Sequence, residues 1–318
     1  MNEPSTETST ADGRRILVGY DGSPVSQAAV AYAAQRAGVG GHLTVAHAYS
    51  PTPEWQGTPF FREGIEENRG HGQRLFEDLP EDLVAGPVVE HKLIDGPPAR
   101  ALVELADARD VEEIVVGSRG FGPFRATLGS VAHALLHESH RLPVVIAPAR
   151  MLDAMPSTRP SHRIVVGYDG SPTAKDALAH AAYRATREGT VVAVYAYRAP
   201  FEYYATPVAD HQKQLARQAL DEIDEKELGG ATLETVPMEA PAEDALVAVA
   251  QRKEADEIVV GSRGLGRFAA AIGSVSHAVL HEADRPVVVV PHVPTAAEQE
   301  EAERVERSRR PGRKVMHL

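Results

Sequence analysis

Two copies of one glycine-rich segment constrain this chain more than any other feature. Val115-Val116-Gly117-Ser118-Arg119-Gly120 is followed, after eight intervening residues, by Gly129-Ser130. Val259-Val260-Gly261-Ser262-Arg263-Gly264 is followed at the same spacing by Gly273-Ser274. Each copy runs from an apolar strand signal through a glycine-rich loop into a helix signal. Glycine lets the backbone turn sharply and come close to a ligand. The Gly-Ser pair sets free N–H groups at a helix start, where anions are favoured. A single G-x-x-G is weak evidence for a phosphate cradle; the long pattern at matching places in two halves is far stronger.

The repeat extends beyond the cradle. Ile16–Pro24, reading ILVGYDGSP, returns as Ile164–Pro172, reading IVVGYDGSP. Gly129–Glu138 returns as Gly273–Glu282. The spacing between these blocks is four residues shorter in the second half, so residues are missing from its middle. A period this long is duplication of a whole domain, not a solenoid unit. We therefore expect domains over residues 14–149 and 162–292. A proline-containing linker covers 150–161, a polar tail 1–13 and a charged tail 293–318. Each domain is about 140 residues, enough to bury its own core.

Composition limits the partners. The chain has no cysteine, which excludes disulfides and thiolate chemistry. No apolar run approaches the ~20 residues of a membrane span, and the N-terminus lacks a signal-peptide core. Net charge is −12, which disfavours nucleic acid and anionic membranes. These features predict a cytoplasmic protein. A bound anion would have to be held locally, by backbone amides together with Arg119 and Arg125, or Arg263 and Arg267. The alternative reading of those arginines is solvated loop charge.

Five strands alternate with helices in each half. In the first they fall at Ile16–Val18, Leu43–Ala48, Val88–Ile94, Ile114–Val116 and Val144–Ile146. In the second they fall at Ile164–Val166, Val191–Ala196, Leu233–Val236, Ile258–Val260 and Val287–Val290. The central runs are continuously apolar, as in parallel strands buried on both faces. Ser23 reads as a helix N-cap with Pro24 at the first helical position. A helix is expected to include Arg74–Leu79. Alternating β and α elements predict open parallel sheets with right-handed crossovers, which bind ligands at the carboxyl ends of the strands.

At these residues the chain resembles a tandem universal stress protein of the ATP-binding branch. The resemblance covers roughly residues 14–149 and 162–292. It rests on the Gly-x2-Gly-x9-Gly-Ser/Thr signature joined to an Asp-Gly-Ser first turn, with a spacer of eight residues here in both halves. The resemblance implies an α/β, Rossmann-like or flavodoxin-like fold: two tandem open five-stranded sheets of order 3-2-1-4-5, with helices on both faces. It implies ATP, with or without Mg2+, as the ligand. Asp21 and Asp169 match the acidic residue that contacts the adenosine half; the other reading of both is a capping turn residue. Ala48 and Ala196 match the position lining the adenine pocket, and equally fit ordinary core. Gly117 and Gly120, with Gly261 and Gly264, match the positions around ribose and the first phosphates. Gly129, Ser130 and Val131, with Gly273, Ser274 and Val275, match the groups that hold the outer phosphates. Family members often form homodimers.

Other chemistry has less support. His133 and His137 lie four apart on one helix, as do His277 and His281. That spacing suits a metal, but the order is not H-E-x-x-H and no third ligand is evident, so no metal site is assigned. There is no Gly-x-Ser-x-Gly elbow, no Walker lysine and no identifiable base beside the cradle. Phosphoryl transfer requires metal, cationic clamp and positioned nucleophile together. The expected function is a nucleotide-dependent stress-response switch acting on a protein partner, not an enzyme. The alternatives are a weak ATPase whose slow turnover resets the switch, and a nucleotide-free scaffold. The apolar fifth strands, as sheet edges, invite pairing, which predicts an internal pseudo-dimer with these two strands antiparallel.

Overall fold

The computed structural model describes residues 13–49, 60–120, 128–153, 162–185, 188–198, 207–262 and 273–292. Residues 1–12 and 293–318 of the expected tails, Pro156 and Pro160 of the linker, Arg125, Arg263, Gly264 and Arg267 lie outside them. In the first half, β1 (Arg15–Gly19), α1 (Pro24–Ala37), β2 (His42–Tyr49), α2 (Phe60–Glu77), β3 (Val88–Asp95), α3 (Pro98–Arg109), β4 (Glu113–Gly117), α4 (Ser130–Glu138) and β5 (Val144–Ala147) follow one another. The second half repeats this order with β6 (Arg163–Gly167), α5 (Pro172–Ala185), β7 (Thr190–Tyr197), α6 (Pro207–Asp221), β8 (Thr232–Glu239), α7 (Ala242–Arg252), β9 (Glu257–Gly261), α8 (Ser274–Glu282) and β10 (Val287–Val290). α6 is three residues shorter than α2, which accounts for most of the length lost from the second half.

One expectation needs correction. The two halves are not separate five-stranded sheets but one ten-stranded sheet of order β3-β2-β1-β4-β5-β10-β9-β6-β7-β8. Within each half every pairing is parallel and the order is 3-2-1-4-5. The halves join through β5 and β10, which run antiparallel with Val287 opposite Ile146, Val288 opposite Val145 and Val289 opposite Val144. Val145 and Val288 are repeat equivalents, so a pseudo-two-fold axis passes through that pair. All four residues of each strand are buried. Unjoined, they would be apolar edges exposing unpaired backbone groups.

The sheet separates two cores, and both run uninterrupted across the junction. Val18, Ala29, Val145, Val288 and Ala177 belong to the core under α1 and α5. Leu17, Leu102, Leu135, Ile146, Val287 and Leu246 belong to the opposite one, under α3, α4, α7 and α8. β1, β4, β6 and β9 are buried along their central residues, whereas the outer strands β3 and β8 are half exposed.

Over the junction, on the α1/α5 face, lies a buried charge cluster. Arg184 is fully buried. Its guanidinium donates to Glu257 Oε2 at 2.7 Å, and also to Glu113 and to the Tyr32 hydroxyl. Tyr32 donates in turn to Glu257 Oε1 at 2.8 Å. Arg36, the repeat equivalent of Arg184, sits with Nε 3.7 Å from Glu113 Oε1. Burial opposes both carboxylates, but Arg184 and Arg36 outweigh it and hold Glu113 and Glu257 below the ordinary carboxylate range. Two positive and two negative charges thus balance inside the protein. Removing one partner of such a set strands a buried charge, at a cost of about 3–5 kcal/mol.

His180 occupies the position equivalent to Tyr32, but its Nε2 finds no hydrogen-bond partner among the described residues. Burial, reinforced by Arg184, pushes its pKa from 6.5 down to about 4. The folded-state value is the lower one, so as pH falls the unfolded chain takes up the proton first. Stability should therefore decline as pH falls from ~6.5 to ~4, by roughly 3 kcal/mol at ~1.36 kcal/mol per unit. Below about pH 4.5 the depressed Glu113 and Glu257 add a further loss of the same sign. Urea unfolding across this range should show that H180Q flattens the slope between pH 6.5 and 4. An unchanged slope would assign the acid sensitivity to other groups.

Candidate nucleotide site

The site begins with the turn after β1. Gly22 has φ +81°, a left-handed conformation that costs glycine little, and Gly170 repeats it at +77°. Asp21 Oδ1 accepts from the Ser23 amide at 3.0 Å, and Ser23 Oγ accepts from the Ser26 amide at 3.2 Å. Ser23 is thereby the N-cap of α1, with Pro24 in its first turn. Asp169 and Ser171 repeat this arrangement, with Asp169 Oδ1 accepting from Ser171 and Ser171 Oγ from Ala174. The two aspartates therefore do serve as turn residues. Asp21 also turns its second oxygen towards Gly120, where an added Cβ would collide with it.

The cradle is held by backbone bonds that are the same in both halves. The Ser118 amide donates to Ala147 O at 2.7 Å, and the Gly129 amide donates to Ser118 O at 2.8 Å. Ser262, Val290 and Gly273 give the matching pair at 2.7 and 2.8 Å. The second bond of each pair sets the start of α4 beside the end of β4, and that of α8 beside the end of β9. Gly129 is the N-cap of α4 and contributes no side chain to the amides of Ser130 and Val131. First-turn amides have no carbonyl of their own helix to bond and favour an anion. Gly117 and Gly129 are tight as well: a Cβ on Gly117 would lie 3.0 Å from Val25, and one on Gly129 would lie 3.3 Å from the Arg119 backbone.

A cavity of about 430 Å³ lies where these segments meet. Asp21, Ala48, Gly117, Gly120, Gly129, Ser130 and Val131 all line it, although they come from four separated parts of the chain. Its position is the crevice beyond the carboxyl ends of β1 and β4, where the connections leave for opposite faces of the sheet. Arg119 is on its wall. So are residues that the sequence reading did not single out, among them Ser26, His47, Pro98, Leu102 and Leu128. His47 Nδ1 lies 2.8 Å from Tyr20 O. A carbonyl only accepts, so the proton sits on Nδ1.

Ala48 combines two properties. The Tyr20 amide bonds Ala46 O, and the Gly96 amide bonds Tyr49 O. Even-numbered residues of β2 therefore turn their peptide groups towards β1, and odd-numbered ones towards β3. β1 ends at Gly19, two residues short of Ala48 in register. The N–H and C=O of Ala48 consequently face the cavity as an adjacent donor and acceptor, while its side chain is too small to block them.

In the second half the described candidates Asp169, Ala196, Gly261, Gly273, Ser274 and Val275 keep the same places on the turn, strand end and helix start. The chemistry differs in detail. Tyr195 replaces His47, Ala174 replaces Ser26, and Ser276 replaces Ala132. The Ser276 hydroxyl donates to Gly261 O at 2.7 Å, a bond the first half lacks the side chain to make.

The profile of the Universal stress protein family matches residues 13–148 and again 160–291. The chain belongs to the universal stress protein family. Among curated universal stress proteins it is 33% identical to Rv2623 of Mycobacterium tuberculosis H37Rv over 291 residues, covering 86% of this chain and 95% of the relative. It is 30% identical over 292 residues to one from Mycolicibacterium smegmatis, covering 86% and 96%. A universal stress protein structure from Archaeoglobus fulgidus aligns with a TM-score of 0.63 at 21% identity, covering 88% of this chain and 98% of that one, which supports the fold. No helix among the described residues is long and apolar enough to cross a membrane.

The shared turn generates a direct expectation. Ser23→Ala and Ser171→Ala each remove an N-cap acceptor and should each lower stability by about 1 kcal/mol in urea unfolding. Losses indistinguishable from zero would show that the caps are replaced by water and do not fix the turns.

Proposed function

We propose that this universal stress protein binds ATP in each half and acts as a nucleotide-dependent switch for a protein partner in the cytoplasm. The observation that carries this reading is the convergence of the seven first-half candidates on one cavity at the topological switch point. The cavity has a volume typical of small-molecule sites, ~300–1,000 Å³. Its ends suit the two ends of a nucleotide. The Ala48 peptide offers a donor beside an acceptor, the pattern that complements the N1 and amino edge of adenine. Arg119 and the first-turn amides of α4 offer positive potential for phosphates in a chain of net charge −12. Asp21 lies between the two, within reach of a ribose hydroxyl. Mg2+ would accompany the phosphates rather than be held by a dedicated set of protein ligands.

Slow or no hydrolysis goes with this reading. Among the described cavity residues there is no lysine, and the one carboxylate is tied into the Ser23 turn. The site can hold phosphates without positioning an attacking water, which favours retention of ATP over turnover.

The glycine cradle supplies the test. In G120V the new side chain must displace the Asp21 carboxylate, at a position exposed enough to leave the core untouched. Calorimetry should show G120V losing one ATP equivalent per chain relative to wild type, and G264V losing the other. Unchanged stoichiometry in both variants would defeat the assignment.

A further inference from the structure

The geometry points to a second kind of site: a two-histidine clamp for a transition-metal ion on α8, repeated on α4. His277 and His281 stand one turn apart, with their Nε2 atoms 3.4 Å from each other. That is long for an N–H···N hydrogen bond. It equals the separation of about 3.4 Å that two imidazole nitrogens take in a tetrahedral site with Zn–N distances of ~2.0–2.1 Å. The rings lie 4.6 Å apart between centroids. His133 and His137 on α4 show the same 4.6 Å separation. Ala132 and Leu135 differ from their counterparts Ser276 and Val279, yet both histidines recur in each copy.

His277 and His281 are exposed, so an ion reaches them without opening the fold. Among the described residues no third histidine, cysteine or carboxylate joins either pair, so water completes the coordination. Nitrogen ligands select Zn2+, Cu2+ or Ni2+ over Mg2+ and Ca2+, which take oxygen. The clamp is therefore distinct from any Mg2+ carried into the cavity with a nucleotide.

The experiment is a calorimetric titration of the full, nucleotide-free chain with Zn2+ alone at pH 7.5, with Mg2+ as the control. Wild type should take up two equivalents, H281Q one, and H137Q/H281Q none, and Mg2+ should give no saturable heat. Both substitutions are on the helix surface, and circular dichroism should be unchanged. Cu2+ in place of Zn2+ should give a spin-resonance signal with two nitrogen couplings that H281Q reduces. Zn2+ uptake that persists undiminished in H137Q/H281Q, or its absence from wild type, would overturn the proposal.

Discussion

The antiparallel pairing of β5 with β10 is the constraint on which the rest of the structure depends. Each half is an all-parallel sheet whose last strand is short and wholly apolar. Such an edge invites another strand, and duplication supplies a self-complementary one on the same chain. Once it is paired, both cores become continuous across the axis, and α1 and α5 meet over the junction. The charges they carry must then be neutralised inside. Arg184 does so by reaching Glu257 in its own half and Glu113 in the other, while Tyr32 reaches back to Glu257. Because the halves run in opposite directions, the carboxyl ends of their strands, and with them the two cradles, face opposite edges of the one sheet.

How much of this was legible in the sequence follows from how local each signal is. The Ser23-Pro24 helix start, the Gly129-Ser130 helix start and the fifth-strand edges are written in consecutive residues, and the structure has each of them. The merging of two sheets into one follows from those edges. The buried charge cluster was not legible. Tyr32 and Glu257 are 225 positions apart, and taken singly Arg36 and Arg184 look like ordinary cations in the last turn of a helix. The beginning of α2 was missed for a related reason. Its glycines argue against a helix, but Gly72 has its own cause: a Cβ there would press on His47 and Leu93. His47 and Ser26 were likewise invisible as site residues, being single polar side chains in apolar contexts.

The two halves agree in the bonds that shape the strand-end turns and differ in the side chains beside them. Cap, turn and cradle backbone bonds agree in length. The side chains facing the strand ends do not: His47 against Tyr195, Ser26 against Ala174, Ala132 against Ser276. A hydroxyl on Gly261 O alters the potential beside the second cradle, and Tyr195 brings a phenol ring where the first half has the two ring nitrogens of His47. The sites proposed in the two halves are therefore chemically unlike.

The central claim is that the cavity holds a nucleotide and keeps it intact. The most direct measurement is to denature protein purified without added nucleotide and identify what the supernatant contains. The account predicts ATP, at up to two equivalents per chain. A supernatant containing only ADP would make the protein a hydrolase, and one with no adenine nucleotide, from protein that also fails to bind added ATP, would make it a scaffold; either result contradicts the claim.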